Sequence, residues 1–435
     1  MAIVLAKGKE ISPARLAAFR ILQQVEQGAF SSVLLAAEEP NLKPADRALC
    51  HELVLGVLRW QLWLDRVIEH FSKRRSESLD PAVRIALRLG LYQLRRLTRI
   101  PASAAVNESV SLVRFARLSS ATSFVNAVLR RAIRQADYDP LAGVSDVLEN
   151  ISIQTSHPLW LIQRWAKLIG YIDAAAFAAV NNVVPPTAFR VVKNRADQEE
   201  VLGKLRAAGA ELEPPDLAER GWRVSGATAL LRELSAAGAI YLQDEASQRV
   251  AELVDVRAGE RALDVCAAPG GKTTLMADRA GDEALVVAAD RSATRMTTVT
   301  TTAALHELSS IKPVLHDATA TLPFKPGTFD KVLVDAPCSG TGTLRRNPEI
   351  RWRLTEDDIS TLATQQKRIL NNAAEAVKPG GRMVYSTCSV EREENEEVIE
   401  EFLAGHNDFY PISTLRTWPH RGSYDGFFIA VLQRT

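Results

Sequence analysis

Cysteine is scarce, with four residues in a chain of 435 (Cys50, Cys266, Cys338 and Cys388) and no CxxC pair. A disulfide framework is excluded. The seven histidines show no ligand spacing, so no metal site is expected. No apolar run approaches the roughly 18 residues that a membrane span needs. The opening Met1–Lys7 stretch is too short for the apolar core of a signal peptide and lacks a cleavage site. These absences point to a cytoplasmic protein with no membrane, metal or disulfide partner. Compositional bias is missing too: 46% hydrophobic residues, 24% charged residues and a net charge of +1 exclude disordered and collagen-like classes. The length suits about three domains of roughly 150 residues each.

The near-zero net charge hides a gradient. Between Lys73 and Arg134 stand thirteen basic residues, all but Lys73 arginine, against only Glu77, Asp80 and Glu108. Guanidinium forks match phosphate oxygens, so the first domain is expected to touch nucleic acid. That region reads as helix throughout. Ser12-Pro13 forms an N-cap and first-turn pair, and Ala17, Ile21, Leu22 and Val25 repeat until Gly28. A long segment from Pro44 to Phe71 keeps Leu53, Val57, Trp60, Leu64 and Ile68 on one stripe. Asp80-Pro81 caps a further helix, and Pro101 separates it from helices at 104–116 and 122–134. Residues 1–149 are therefore expected to form an all-α domain.

Residues 150–235 read as a small α+β linker domain, with a helix at Leu159–Leu168, a strand-like run at Phe189–Lys193 and a helix near Gln198–Ala208. Residues 236–435 alternate strand and helix, the apolar runs being Arg261–Cys266, Leu285–Asp290, Lys312–His316, Lys331–Asp335, Arg382–Ser386 and Phe427–Leu432. That pattern predicts a doubly wound, mostly parallel α/β sheet. Such sheets bind ligands at the carboxyl ends of their strands.

After the first run comes Asp264-Val-Cys-Ala-Ala-Pro-Gly-Gly-Lys-Thr-Thr274. Gly270 and Gly271 let backbone approach a ligand and open a helix whose N-terminus favours negative charge. A Walker A loop fails because its first glycine would fall at Cys266, and GxGxxG is absent. The second run ends in Asp290, about twenty residues past the glycines, where an acid suits a ribose diol. A sugar-bearing cofactor with no dominant phosphate fits, and S-adenosyl-L-methionine is that cofactor.

The fourth run ends Val334-Asp-Ala-Pro-Cys-Ser-Gly-Thr-Gly342 and the fifth Val384-Tyr-Ser-Thr-Cys-Ser389. Cys50 reads as a small buried hydrophobe, and Cys266 as packing behind the cofactor loop. Cys338 and Cys388 follow Pro337 and Thr387 just past two strands. If those strands are adjacent, their backbones lie about 5 Å apart and both thiols face one cleft with Asp335. Carbon 5 of a pyrimidine is a poor nucleophile. A thiolate added at carbon 6 makes it an enamine able to attack a sulfonium methyl group, after which the carbon-5 proton and the thiol must leave. Asp335 can hydrogen-bond the ring nitrogen as the thiolate adds, and the second cysteine can assist release. These mechanics leave open which cysteine attacks.

Asp264–Thr274, Asp335–Gly342 and Ser386–Ser389 together resemble the cofactor loop and two cysteine motifs of RNA cytosine-5 methyltransferases of the NOL1/NOP2/Sun type. Asp46–Leu49, Gly56–Gln61 and Phe124–Arg131 are similar to the NusB-like helical domain of the bacterial 16S ribosomal RNA branch of that family. The resemblance implies a NusB-like RNA-binding domain, a Rossmann-like class I methyltransferase domain, and 16S rRNA as partner with cytosine 967 as target. It makes Cys388 the nucleophile, Cys338 the residue for product release, and Asp335 a base or charge stabiliser. It places cofactor contacts at Cys266, Ala267, Ala268, Pro269, Gly270, Gly271, Lys272, Asp290, Arg295, Asp317 and Asp335.

Arg295 also reads as an exposed helix residue, and Lys272 as a capping or pairing group. The stretch Arg345–Arg353 resembles the segment after the family's Pro-Cys motif, and its basic residues around Trp352 suit RNA, with Trp352 reading equally as a core residue. The acidic run Glu391–Glu397 reads as a solvated helix face that repels phosphate. Two other functions stay open: the same chemistry on transfer RNA or 23S rRNA, and a non-catalytic RNA-binding adaptor.

Overall fold

The computed structural model describes residues 11–435, and Met1–Lys7 lies outside them. The described chain divides into two compact units, residues 11–184 with 344–353 and residues 185–343 with 354–435. Among the described residues no helix is long and apolar enough to cross a membrane.

The first unit is all helix. Helices Pro13–Glu26, Pro44–Arg59 and Pro81–Arg96 each begin on proline, whose fixed φ and missing N–H suit a first helical position. Ser12 precedes the first of these but makes no side-chain cap. Its Oγ and backbone N–H both donate to Glu108 Oε2, at 2.7 and 2.9 Å, tying this helix to Ala102–Phe115. The segment expected as one helix from Pro44 to Phe71 is two, Pro44–Arg59 and Gln61–Ser72, because Trp60 leaves helical geometry at φ −107° and ψ 18°. The Arg96 guanidinium covers the break, 3.5 Å from the Trp60 ring centroid and 4.6 Å from that of Trp63. Phe19, Leu53, Leu64, Ile68, Leu87 and Leu129 fill the core.

Part of the arginine excess works inside this unit. Arg88 is buried, bidentate on Asp65 at 2.7 Å and bonded to Glu26 at 3.0 Å. Arg95 donates to Ala132 O and Gln135 O at the end of helix Thr122–Arg134, and Arg131 to Phe71 O. Arg75, Arg99, Arg114, Arg117, Arg130 and Arg134 stay exposed.

Helices Val147–Thr155 and Leu159–Val180 complete the unit, the latter broken at Gly170 (φ 82°). The chain re-enters it for Leu344–Arg353. There Glu349 accepts from Ser31 N and Oγ at 2.8 and 2.9 Å, and the Trp352 indole N–H donates to Leu58 O at 2.7 Å. Arg353 donates to the carbonyls of Val25, Gly28 and Ala29. Arg351 is fully buried and donates to Ser156 O (3.2 Å), Asn182 Oδ1 (2.9 Å) and Asn181 O (3.2 Å). Burial pushes its pKa down to about 9. The RNA reading of this stretch is thus corrected at Arg351, Trp352 and Arg353, which bind the unit's own polar groups. Carbonyl-seeking and phosphate-seeking arginines look alike in composition. Arg351→Ala is expected to destabilise the helical unit by about 3 kcal/mol, since several buried acceptors lose their donor together. Denaturant unfolding against wild type measures it.

The second unit holds two sheets. In the small one, β1 (Thr187–Val191), β2 (Glu211–Glu213), β3 (Gly221–Ser225) and β4 (Ile240–Leu242) pair antiparallel in the order β2-β3-β1-β4. Helices Gln198–Ala207 and Thr228–Ala236 cover it around Phe189, Leu202, Leu205 and Ile240. Its last strand therefore lies past residue 235.

The large sheet contains β5 (Arg261–Asp264), β6 (Leu285–Asp290), β7 (Ile311–Leu315), β8 (Phe329–Asp335), β9 (Val377–Thr387), β10 (Phe409–Arg416) and β11 (Phe428–Arg434), in the order β10-β11-β9-β8-β5-β6-β7. Strands β5 to β9 run parallel and β11 pairs antiparallel with β9. Helices Glu245–Val254, Gly271–Arg279 and Ala293–Leu305 pack on one face, Glu356–Ala376 and Glu396–Gly405 on the other. This is the expected doubly wound architecture, with β10 added. That strand lies at the sheet edge, mostly exposed and interrupted by Pro411, so it shows no apolar run.

Candidate active site

Parallel pairing continues past β5. Val265 N–H donates to Leu333 O at 3.1 Å and Ala267 N–H to Ala289 O at 2.9 Å, seating the following loop over the ends of β6 and β8. Gly270 then takes φ +105°, a left-handed turn that glycine adopts without strain, and helix Gly271–Arg279 begins. The small sheet holds this helix from behind. Fully buried Arg190 donates to Thr274 Oγ1 at 2.9 Å and lies 3.7 Å from Asp278, whose carboxylate also accepts the backbone N–H groups of Lys193 and Asn194. Nothing in the sequence pointed to that support.

Beneath the loop, buried Asp264 accepts from Thr273 Oγ1 at 2.7 Å and Cys266 N at 3.2 Å. Burial, joined by the charge of Asp335 and opposed by the Thr273 bond, raises its pKa to about 7. Cys266 packs against the core on the other face of the sheet, and burial pushes its thiol pKa far up, so it stays neutral.

Asp290, at the end of β6, accepts from Ala268 N at 3.2 Å and Ser292 N at 2.9 Å. Arg295 is largely exposed at its side chain, yet it donates to Ala268 O at 2.5 Å and stands 3.9 Å from Asp290, so here it clamps the loop. Asp317 lies past β7 in an open groove with Arg291, Ser292 and His316, its carboxylate held by Thr319. Asp290 O in turn accepts from His316 N at 3.1 Å, which links these two strand ends.

Strands β8 and β9 are neighbours in a register that pairs Asp335 with Ser386. Just beyond, Cys338 Sγ and Cys388 Sγ stand 3.3 Å apart. Asp335 accepts from Lys272 Nζ at 2.7 Å and from Ser386 Oγ at 2.8 Å. Pairing with Asp335 outweighs burial and raises the Lys272 pKa, with Cys388 contributing, so Lys272 is a fixed cation beside the thiols. The structure thus brings together Cys338, Cys388, Asp335 and Lys272, and separately Ala268, Asp290 and Arg295. The loops close by backbone contact: Gly342 N–H donates to Cys388 O at 2.9 Å, and a Cβ on Gly342 would strike Gly426 O at 2.0 Å.

The acidic run is corrected. Glu391, Glu394 and Asn395 are buried, and Glu394 accepts bonds from both cysteine loops. Ser339 and Ser389, one after each cysteine, were the available signal: two buried hydroxyls need an acceptor.

Comparison with known proteins agrees with this layout. Residues 251–433 match the family model of the 16S rRNA methyltransferase RsmB/F, residues 12–134 that of the NusB family, and residues 157–231 the RsmF/B-like ferredoxin-like domain. The probable ribosomal RNA small subunit methyltransferase B of Bacillus subtilis (strain 168) is 34% identical over 438 residues, spanning 96% of this chain and 98% of the relative. This chain belongs to the RsmB/F methyltransferase family. Ribosomal RNA small subunit methyltransferase B of Pseudomonas putida, another relative, is 35% identical over 96% of this chain and 98% of its own length. The crystal structure of PH0851 superposes with a TM-score of 0.85 at 28% identity, covering 98% of this chain and all of that one. The family fold therefore comprises a NusB helical domain, a small ferredoxin-like domain and the doubly wound methyltransferase domain.

Proposed function

We propose that this protein methylates carbon 5 of a cytosine in 16S ribosomal RNA, at cytosine 967, using S-adenosyl-L-methionine. The observation that carries the reading is the sulfur pair 3.3 Å apart beside the Lys272–Asp335 ion pair. The names of the relatives support the class of RNA. When bound, S-adenosyl-L-methionine supplies an electrophilic methyl group for carbon 5. The residues fit it: the loop Ala267–Gly271 crosses the strand ends and opens a helix, and the Asp290 carboxylate at the end of β6 suits ribose hydroxyls, with Lys272, Arg295 and Asp317 as further contacts.

The chain's own part is covalent. Cys388 Sγ adds to carbon 6, which makes carbon 5 nucleophilic. Lys272 offers a hydrogen bond to the ring as negative charge develops, while Asp335, an acceptor for Lys272 and Ser386, takes the N–H of the exocyclic amine in place of the ring nitrogen first expected. Once carbon 5 is methylated, its proton passes to Asp335, the carboxylate in the cleft. The freed electron pair restores the 5,6 double bond and the carbon–sulfur bond breaks, returning Cys388 as thiolate. Cys338, as a thiol, hydrogen-bonds the departing sulfur.

The test incubates the protein and radiolabelled S-adenosyl-L-methionine with unmodified 16S rRNA and maps 5-methylcytosine. One labelled cytosine is expected. Label on transfer RNA or 23S rRNA alone would change the substrate. RNA binding without transfer would replace the enzyme by an adaptor.

A further inference from the structure

The two reactive loops share one acceptor. Both Ser339 Oγ and Ser389 Oγ lie 2.5 Å from Glu394 Oε2, while Ser339 N–H and Gln366 Nε2 donate to Oε1 at 2.8 and 2.9 Å. Each serine directly follows a cysteine, so the carboxylate fixes the backbone next to each sulfur. We propose that Glu394 is a positioning residue, which locks the Cys338 and Cys388 loops so that the two sulfurs stay at contact distance. The inference rests on the covalent reading of the two cysteines.

Glu394 is itself held rigidly. It closes the short turn Arg392–Glu394, its carbonyl accepts from Tyr385 Oη at 2.6 Å, and it is fully buried. Its neighbour Asn395 repeats the pattern, accepting from Thr387 Oγ1 at 2.6 Å and donating to Ser389 O at 2.9 Å.

Among the described residues the four donors on the carboxylate are hydroxyls and amides, none a cation; burial raises its pKa, and these hydrogen bonds oppose that rise. The charges around the sulfurs are asymmetric. The Glu394 carboxylate acts on Cys338, whereas the Lys272 ammonium, paired with Asp335, interacts with Cys388. The hydrogen bond to Cys388, burial, and the charges of Cys388 and Glu394 together push the Cys338 thiol well up. Cys338 is thereby kept a thiol, 3.3 Å from Cys388 Sγ. This sorts two chemically identical side chains into nucleophile and hydrogen-bond donor.

The full-length protein is labelled with iodoacetamide near pH 8, slightly below an ordinary thiol's pKa of about 8.5, and initial rates at each cysteine are read by peptide mass spectrometry. In wild type, Cys388 is expected to react before Cys338. In Glu394→Gln, labelling of Cys338 should rise roughly threefold or more as the nearby charge is lost. Methyl transfer should lose kcat while KM for RNA and affinity for S-adenosyl-L-methionine hold. If Glu394→Gln does not fold, Glu394→Asp keeps the charge but is too short to span both serines, so kcat is expected to fall with KM held while Cys338 labelling stays near wild type. Unchanged labelling rates and kcat in folded Glu394→Gln, or unchanged kcat in folded Glu394→Asp, overturn the proposal. Labelling needs no RNA: if wild type methylates no cytosine while the rates shift as stated, the proposed function fails and the positioning role stands.

Discussion

Replacing Cys388 with alanine is expected to lower methyl transfer by roughly 10⁴-fold or more, the scale seen when a covalent nucleophile is removed. Among the described residues, the cleft groups nearest the sulfur are unsuited to take over the attack. Lys272 is a cation fixed on Asp335. Cys338 loses its hydrogen bond to Cys388 in this variant, but burial and the charge of Glu394 still oppose its ionisation. The substitution removes a single half-buried sulfur, and Thr387 and Ser389 keep the loop's hydrogen bonds to Asn395 and Glu394, so folding and cofactor affinity should hold. Cys388→Ser should be nearly as inactive, because an alcohol is far less ionised than a thiol at neutral pH. The check is single-turnover transfer of labelled methyl to 16S rRNA, with S-adenosyl-L-methionine binding measured in parallel. Activity retained in Cys388→Ala but lost in Cys338→Ala would exchange the two roles.

That pairing of sulfurs was legible because it depends on local motifs and one adjacency. Parallel neighbours β8 and β9 place Asp335 opposite Ser386, so residues two and three positions further must meet. The loop after β5 was legible for the same reason, since its glycines, Asp264 and Thr273 lie within eleven residues. What stayed hidden depends on partners far away in sequence. Glu349 binds Ser31, and Arg190 reaches Thr274, and neither side chain carries a periodic signal. Glu394 was misread because an acidic run is normally solvated, whereas here a short turn aims one member at two buried serines. The helix break at Trp60 was concealed because the apolar stripe runs on through both helices. Periodicity reports which face is buried, and it does not report a change of direction.

Cys338→Ala should give the complementary result, an enzyme that starts the reaction and cannot finish it. Cys388 keeps its place and attacks carbon 6. Its departure, however, requires a sulfur to leave as thiolate inside a buried cleft, where an unsolvated anion is costly. In wild type the Cys338 thiol lies 3.3 Å away and can stabilise that leaving group by hydrogen bonding. Alanine removes this donor, and turnover is expected to fall roughly 10²- to 10⁴-fold, the usual contribution of a group that assists bond cleavage. The methylated RNA should then remain attached to the protein, visible as a slowly migrating band on a denaturing gel. The double variant Cys338→Ala/Cys388→Ala should form no such band, which separates a bond to Cys388 from any other crosslink. Normal turnover by Cys338→Ala without an adduct would show that the second sulfur plays no part in release, and its contact with Cys388 would then need another explanation.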